Sequence, residues 1–502
     1  MVLSECVFLS LLPYLLLFSV LFLCFGLFGG RLSRIVFVLM CCWSLYESGL
    51  GLLQVLGCRD SGHSLFAMTG SFSNPGPYGG FLGITVAVAF CYVLRHWRTV
   101  TKMPPGKLLG HIPFLAAFSS CLLGMIVLPA TMSRAGWLAF FAATAVFVIT
   151  ETTFRLFCRT HVVTTLIAGC VVIALMAGAF FMKKESALGR LHIWHIECSV
   201  IASHPLGVGL GKGLGAYGRA QETYFRSSER SEPEIRSAGC PEYAFNEYLG
   251  IGMETGVPGL SLSVLLPVLA FRNRLRSKSL AAEGIAAFCV FAFFSYPFSV
   301  WQLCLLGTVL FASAGAIIRN NHIAVAMSGA LAVCLVATAL ILSPDIMIRR
   351  KAVKSWNQIK EYSTVDMCDD NVRELAPLES DLSDNYRFLY ALGYAFYRTG
   401  RGEECVRVLE NGASISSDPM FHNIMGECYE GMGDYASAED EYWKSHFMVP
   451  CRIYPLTLLK ALYSKQKREK DEAEIVEMIR GMKVNSKNRT MSILKEEALE
   501  NE

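Results

Sequence analysis

Ten apolar runs, each close to the length of a bilayer crossing, fill the first two-thirds of this chain and leave it few folds to choose from. A hydrocarbon core of about 30 Å takes about 20 apolar residues of helix. Inside it each backbone N–H and C=O must be paired, which for runs of this length means α-helix. The runs lie near 5–28, 35–57, 76–94, 109–130, 134–151, 162–182, 247–271, 280–297, 302–318 and 322–343. The fifth and ninth are short, and the seventh opens on polar residues. Hydrophobic residues make up 53% of the chain and the mean hydropathy is +0.41, too apolar for an ordinary soluble protein. The fold class expected is all-α: a polytopic membrane helical bundle of about ten spans over 1–343, then a soluble domain over 344–502. The first run has no basic n-region and no clear cleavage site, and reads as a signal anchor.

Lys and Arg set the expected orientation. One set of alternate short loops holds Arg31 and Arg34; Arg95, Arg98, Lys102 and Lys107; Arg155 and Arg159; Arg272, Arg274, Arg276 and Lys278; and Arg319, thirteen in all. The opposite short loops hold Arg59 and Arg134. The thirteen are expected in the cytoplasm. The N-terminus, the 183–246 loop and the C-terminal tail are then outside. The formal charge of +3 is small, and nothing points to nucleic acid. The 18 cysteines are scattered, with no zinc-spaced pairs, and read as small buried hydrophobes; no metal or cofactor is expected.

Between Lys183 and Phe245 lie eight Lys/Arg and seven Glu, with apolar runs on both sides. A loop longer than about 15 residues is usually functional or disordered. This one holds aromatics and helix-like patches, so it reads as a folded cap over a membrane active site. Its arginines Arg190 and Arg219, with Arg134 at a span edge, could grip phosphate oxygens without a metal. The other reading is solvated charge offset by neighbouring glutamates, and it weighs least at Arg134. The run HPLGVGLGKGLGAYG (204–218) has no Gly-Lys-Ser/Thr and no preceding strand, so it is not a nucleotide loop. Gly207 and Gly209 suit a tight turn that approaches a substrate or a span, or a purely structural turn. Asn74 and Pro75 lie in TGSFSNPGPYGG (69–80), whose Pro-Gly-Pro is expected to belong to no helix. In AFNEYL (244–249), Asn246 is a candidate catalytic group or a helix N-cap. Glu247 is a candidate general base, as are His192, His195 and His204, each of which could equally be a hydrogen-bonded structural residue.

After Pro344 the chain turns charged and helical in pattern. ALGYAFYRTGRGEECVRVLE aligns with IMGECYEGMGDYASAEDEYW, and Gly393/Gly426, Gly400/Gly433 and Cys405/Ala438 are each 33 residues apart. This resembles tetratricopeptide repeats, whose period is about 34. Two repeats are visible, with a weaker third near 451–480.

TGSFSNPGPYGGFL (69–82), SRAGWLA (133–139), GRLHIW (189–194), HPLGVGLG (204–211), Gln221 with Tyr224-Phe225, and AFNEYLGIGMETGVPGL (244–260) occur in that order. The ordered set resembles the O-antigen ligase (WaaL/Wzy-type) family of membrane glycan transferases. The resemblance implies a metal-independent inverting transferase on the outer face of the bacterial inner membrane. Its donor would be an undecaprenyl-diphosphate-linked glycan and its acceptor lipid A-core or another hydroxyl. Arg134 and Arg190 would hold the diphosphate. The family often has His before the Asn-Glu or Asn-Leu pair; Phe245 stands there, so the base must come from elsewhere. A polymerase and a protein O-oligosaccharyltransferase are alternatives with the same donor. A scaffold or transporter, whose tail recruits a protein partner, is the non-enzyme alternative. The low charge of the spans argues against transport.

Overall fold

A computed structural model describes residues 2–104, 111–164, 166–167, 169–170, 178, 184–227, 230–277, 281–314, 322–362, 369–483 and 489–500. The described secondary structure is helical, without strands. Six helices are long and apolar enough to cross a membrane: Leu11–Phe28, Gly30–Val55, Pro75–Val100, Ile112–Ala130, Glu247–Arg272 and His322–Ile341. Arg134–Thr150 with Phe154–Thr160, bent by 92°, makes a seventh if the pair is one span. Ala281–Phe294 and Trp301–Ala312 are apolar but short. At 1.5 Å per residue they reach only about 20 Å. The expected run at 162–182 lies mostly outside the described residues; each of the other nine coincides with a helix.

Pro75–Val100 is the axis of the bundle. It is apolar all round, and Tyr78, Phe81, Leu82, Ile84, Ala87 and Cys91 are fully buried. Against it pack Gly30–Val55, Ile112–Ala130, Arg134–Thr150 and Ala281–Phe294. Its crossing with Arg134–Thr150 runs over bare backbone. A Cβ on Gly136 would overlap the Gly79 carbonyl, and one on Gly83 the Gly136 carbonyl. Small residues at such contacts let membrane helices touch. At the far end of the axis Arg95 is bonded to Glu283 at 2.9 Å and Glu151 at 3.2 Å.

Glu247–Ser277 breaks at Gly256, whose φ of 70° and ψ of −165° are not helical. Pro258 has no N–H to give the Glu254 carbonyl, so the ladder opens there. The 205–209 backbone fills the gap. Val208 N–H donates to Met253 O at 2.9 Å, Gly209 N–H to Glu254 O at 3.0 Å, and Val257 N–H to Pro205 O at 2.9 Å. Gly207 holds φ +85° beside the Glu254 carbonyl, where a Cβ would collide. The glycine run is thus a turn docked on a span.

The tail folds as helices packed in pairs: Tyr386–Arg398 with Gly402–Ile415, Met420–Met432 with Tyr435–Met448, and Tyr454–Lys465 with Glu469–Gly481. The first helices of successive pairs begin at Tyr386, Met420 and Tyr454, 34 residues apart. Gly393 and Gly426 sit where a Cβ would strike Leu409 and Tyr442 of the second helices.

Candidate functional site

One end of the bundle opens into a cleft of about 700 Å³. The ends of three helices, the 66–76 segment, Arg190, the 240–245 segment and Tyr296 line it. The 66–76 segment is fixed by two polar side chains buried in Gly30–Val55. Gln54 accepts from Thr69 N–H at 2.9 Å and Gly70 N–H at 2.8 Å, and donates to Gly70 O at 2.9 Å. Glu47 accepts from Ser71 N–H at 3.0 Å and Ser71 O–H at 2.6 Å. Neither was singled out from the sequence. Their signal is there: they are the helix's one carboxylate and one amide side chain, a heptad apart.

Asn74 caps Pro75–Val100, its Oδ1 accepting from Gly76 N–H at 2.8 Å. Ser133 caps Arg134–Thr150, accepting from Gly136 N–H at 3.3 Å, and donates to Gly76 O at 3.1 Å. Two helix N-termini therefore face one cleft, with Arg134 as the first residue of the second helix. The helix macrodipole makes such ends positive. Arg190 lies across from them, donating to Phe294 O at 2.8 Å, with its guanidinium carbon 5.1 Å from the centre of the Phe245 ring. Burial, and next the charge of Arg134, lower its pKa from 12.5, so the two guanidinium groups sense each other. A guanidinium has five N–H donors, so one bond to Phe294 leaves others for a ligand.

The aromatic side of the cleft is ordered. Tyr243 and Tyr296 stack in parallel with centroids 4.0 Å apart, and Phe245 meets Tyr296 edge-on at 5.4 Å. Met132 and Phe245 line the cleft with φ of 51° and 53°. Positive φ is uncommon outside glycine, and such backbone tends to gather at functional sites.

The other residues singled out from the sequence fall elsewhere. Asn246 is buried as the cap of its helix, its Oδ1 accepting from Tyr248 N–H at 3.1 Å and Leu249 N–H at 3.3 Å. Glu247 is turned away from Phe245 and lines a second, apolar groove of about 380 Å³ with Phe18, Phe22, Ile251 and Leu266. There it accepts from Phe298 N–H at 2.7 Å. His192 is buried against Tyr224 and Phe225, and burial lowers its pKa. His195 and His204 are exposed, and Arg219 lies on an exposed face of Gly213–Arg226. None of these lines the cleft; the carboxylate that does is Glu242. Among the described residues no group of three or more His, Cys, Asp or Glu could hold a metal ion.

Residues 119–264 match the family described as O-antigen ligase. The matched segment carries Arg134, Arg190 and the 240–245 wall, so the O-antigen ligase likeness and the cleft coincide. It supports a multi-pass membrane protein with a glycan function of the O-antigen ligase or polymerase type, and hence a transferase-type enzyme. The O-antigen ligase match begins after the 69–82 stretch and stops short of the tail. No curated protein matches the chain significantly.

Proposed function

We propose that the protein transfers a glycan from an undecaprenyl-diphosphate carrier to an acceptor hydroxyl, such as one of lipid A-core, outside the cytoplasmic membrane. The observation that carries this reading is the convergence of Arg134, Arg190 and two helix N-termini on one cleft. A diphosphate leaving group is already good. What remains is to neutralise its growing charge and to take the acceptor proton. Arginines can do the first without a metal. The apolar groove headed by Glu247 suits the polyprenyl chain of the same donor. The acceptor oxygen attacks the anomeric carbon, the bond to the diphosphate breaks, and the proton passes to a carboxylate. Glu242 lines the cleft, whereas Glu247 lies outside it at the groove and serves only if the acceptor enters there.

Reconstituted protein with lipid-linked glycan and lipid A-core tests this. Arg134→Ala and Arg190→Ala should each lose about 100-fold or more in rate. Lys at either place should keep part, because an ammonium cannot fork onto two oxygens. Wild-type rates in both Ala variants would remove the diphosphate clamp. In the same assay Glu242→Gln and Glu247→Gln assign the base: the carboxylate whose loss stops turnover serves.

A further inference from the structure

Five consecutive residues that lead into and begin the cleft wall, Ala238 to Glu242, are each held by a hydrogen bond from elsewhere, and for four of the five residues the partner belongs to the C-terminal domain. Cys451 Sγ lies 3.8 Å from Ala238 O. Gly239 O accepts from Gln221 at 2.9 Å. Arg452 Nη2 is 3.0 Å from Cys240 Sγ. Buried Ser417 donates to Pro241 O at 2.8 Å. Arg387 Nη2 donates to both Glu242 oxygens, at 2.9 and 2.8 Å. Gln221 is itself tied to the tail, donating to Met448 O while accepting from Tyr217 O–H at 2.6 Å. Beneath this, the Gly213–Arg226 helix meets the tail on bare backbone: a Cβ on Gly215 would overlap the Ser414 carbonyl.

Cys240, Pro241, Glu242 and Tyr243 line the cleft directly. We infer that Arg387 and Ser417 of the C-terminal domain are positioning residues for this wall and set the fit of the acceptor. The inference rests on the transferase reading above. The wall bears Glu242, whose carboxylate is paired with Arg387, so it offers a diphosphate no net positive charge and suits a neutral hydroxyl-bearing group. Arg134 lies across the cleft, and Arg190, although it stacks on Phe245, is anchored by Phe294 O and not by the tail-held residues, so the tail acts on acceptor and not on donor. Holding the wall costs the tail no contact with substrate.

Cys240 is a built-in reporter, since it lies in the wall and burial raises its pKa. The experiment uses the full chain in lipid nanodiscs. Alkylation of Cys240 by a maleimide is followed by peptide mass spectrometry, beside transfer kinetics with lipid-linked glycan and lipid A-core. Arg387→Ala and Ser417→Ala are compared with Arg387→Lys and Ser417→Thr; Arg452 is left alone because it touches the reporter. Losing one of these bonds should speed alkylation and raise the acceptor KM by about fivefold. The donor KM should hold, and the conservative variants should recover part of the loss. Arg387 is half-exposed, so its Ala variant should fold. Wild-type alkylation rates in both Ala variants, or an equal rise of donor and acceptor KM, would overturn the inference. If the wild-type chain transfers no glycan but the Ala variants still expose Cys240, the transferase reading fails and the tail-held wall stands.

Discussion

Glu197 is a buried carboxylate that the cleft does not use. It is fully buried on Lys184–Ser203, and neither of its carboxyl oxygens has a hydrogen-bond partner among the described residues. Burial, and next the charge of Glu247, push its pKa well above 4.5. The folded state keeps the proton that the unfolded state releases. Stability is therefore whole below the ordinary carboxylate range and falls as pH rises above it, by about 1.4 kcal/mol per pH unit until the folded pKa is reached. Glu197→Gln removes the titration, so its thermal midpoint should stay flatter than wild type between pH 4.5 and 8. Parallel curves would mean that Glu197 is ionised in the fold. Arg134 and Arg190 both line the cleft, but they stood out in the sequence for different reasons: Arg134 is a charge at the edge of an apolar run, and Arg190 was marked among the loop arginines by the O-antigen ligase resemblance. The histidines and Arg219 lie outside the cleft, and nothing in the sequence foretold it. A titratable side chain in a polar loop gives no sign of which way its helix turns it. For Glu247 the turn of the helix was itself the sign, since an offset of two residues is about 200°.

Helices and turns were easier to read than the contacts between them. Apolar length places nine of the ten runs on helices, but the Pro-Gly-Pro at 75–77, expected outside any helix, forms the first turn of Pro75–Val100, where a missing N–H costs nothing and Asn74 caps the end. The glycine run at 204–211 was legible as a turn, but its partner was not. That partner is a pair of carbonyls, Met253's and Glu254's, left open by the break at Gly256 and the missing N–H of Pro258, and only the folded span shows them. Glycines of the Pro75–Val100 and Arg134–Thr150 crossing look unremarkable in sequence because membrane helices are glycine-rich. Their need is steric and specific. Gly136→Val puts a side chain into the Gly79 carbonyl and should cost about 1–3 kcal/mol. It should also part the two caps, Asn74 and Ser133, that border the cleft. Unfolding in mild denaturant would read the first effect and the transfer rate the second; a variant with wild-type stability would mean the helices pass farther apart than the glycines imply.

Across the whole molecule, the ends that share the cleft are the ones that the charge bias puts outside. The 66–76 segment, residues 131–135, Arg190, the 240–245 wall and Tyr296 meet at one end of the bundle, and Arg95 with Glu151 and Glu283 lies at the other. A phosphatase reporter fused after Glu502 should be active, and a reporter that fluoresces only in the cytoplasm should be dark. The reverse result would turn the bundle over and put the cleft in the cytoplasm. The repeat-like spacing of the tail was legible, but its position on the cleft was not, because Pro241 and Ser417 are 176 residues apart and no local pattern joins them. That separation has a consequence for synthesis. Domains form as the chain emerges, the N-terminal parts first. When the last span is complete, the residues that hold the cleft wall have yet to be translated. On the transferase reading proposed above, a newborn chain therefore carries both arginines before the tail can hold the wall, and its acceptor side is completed last.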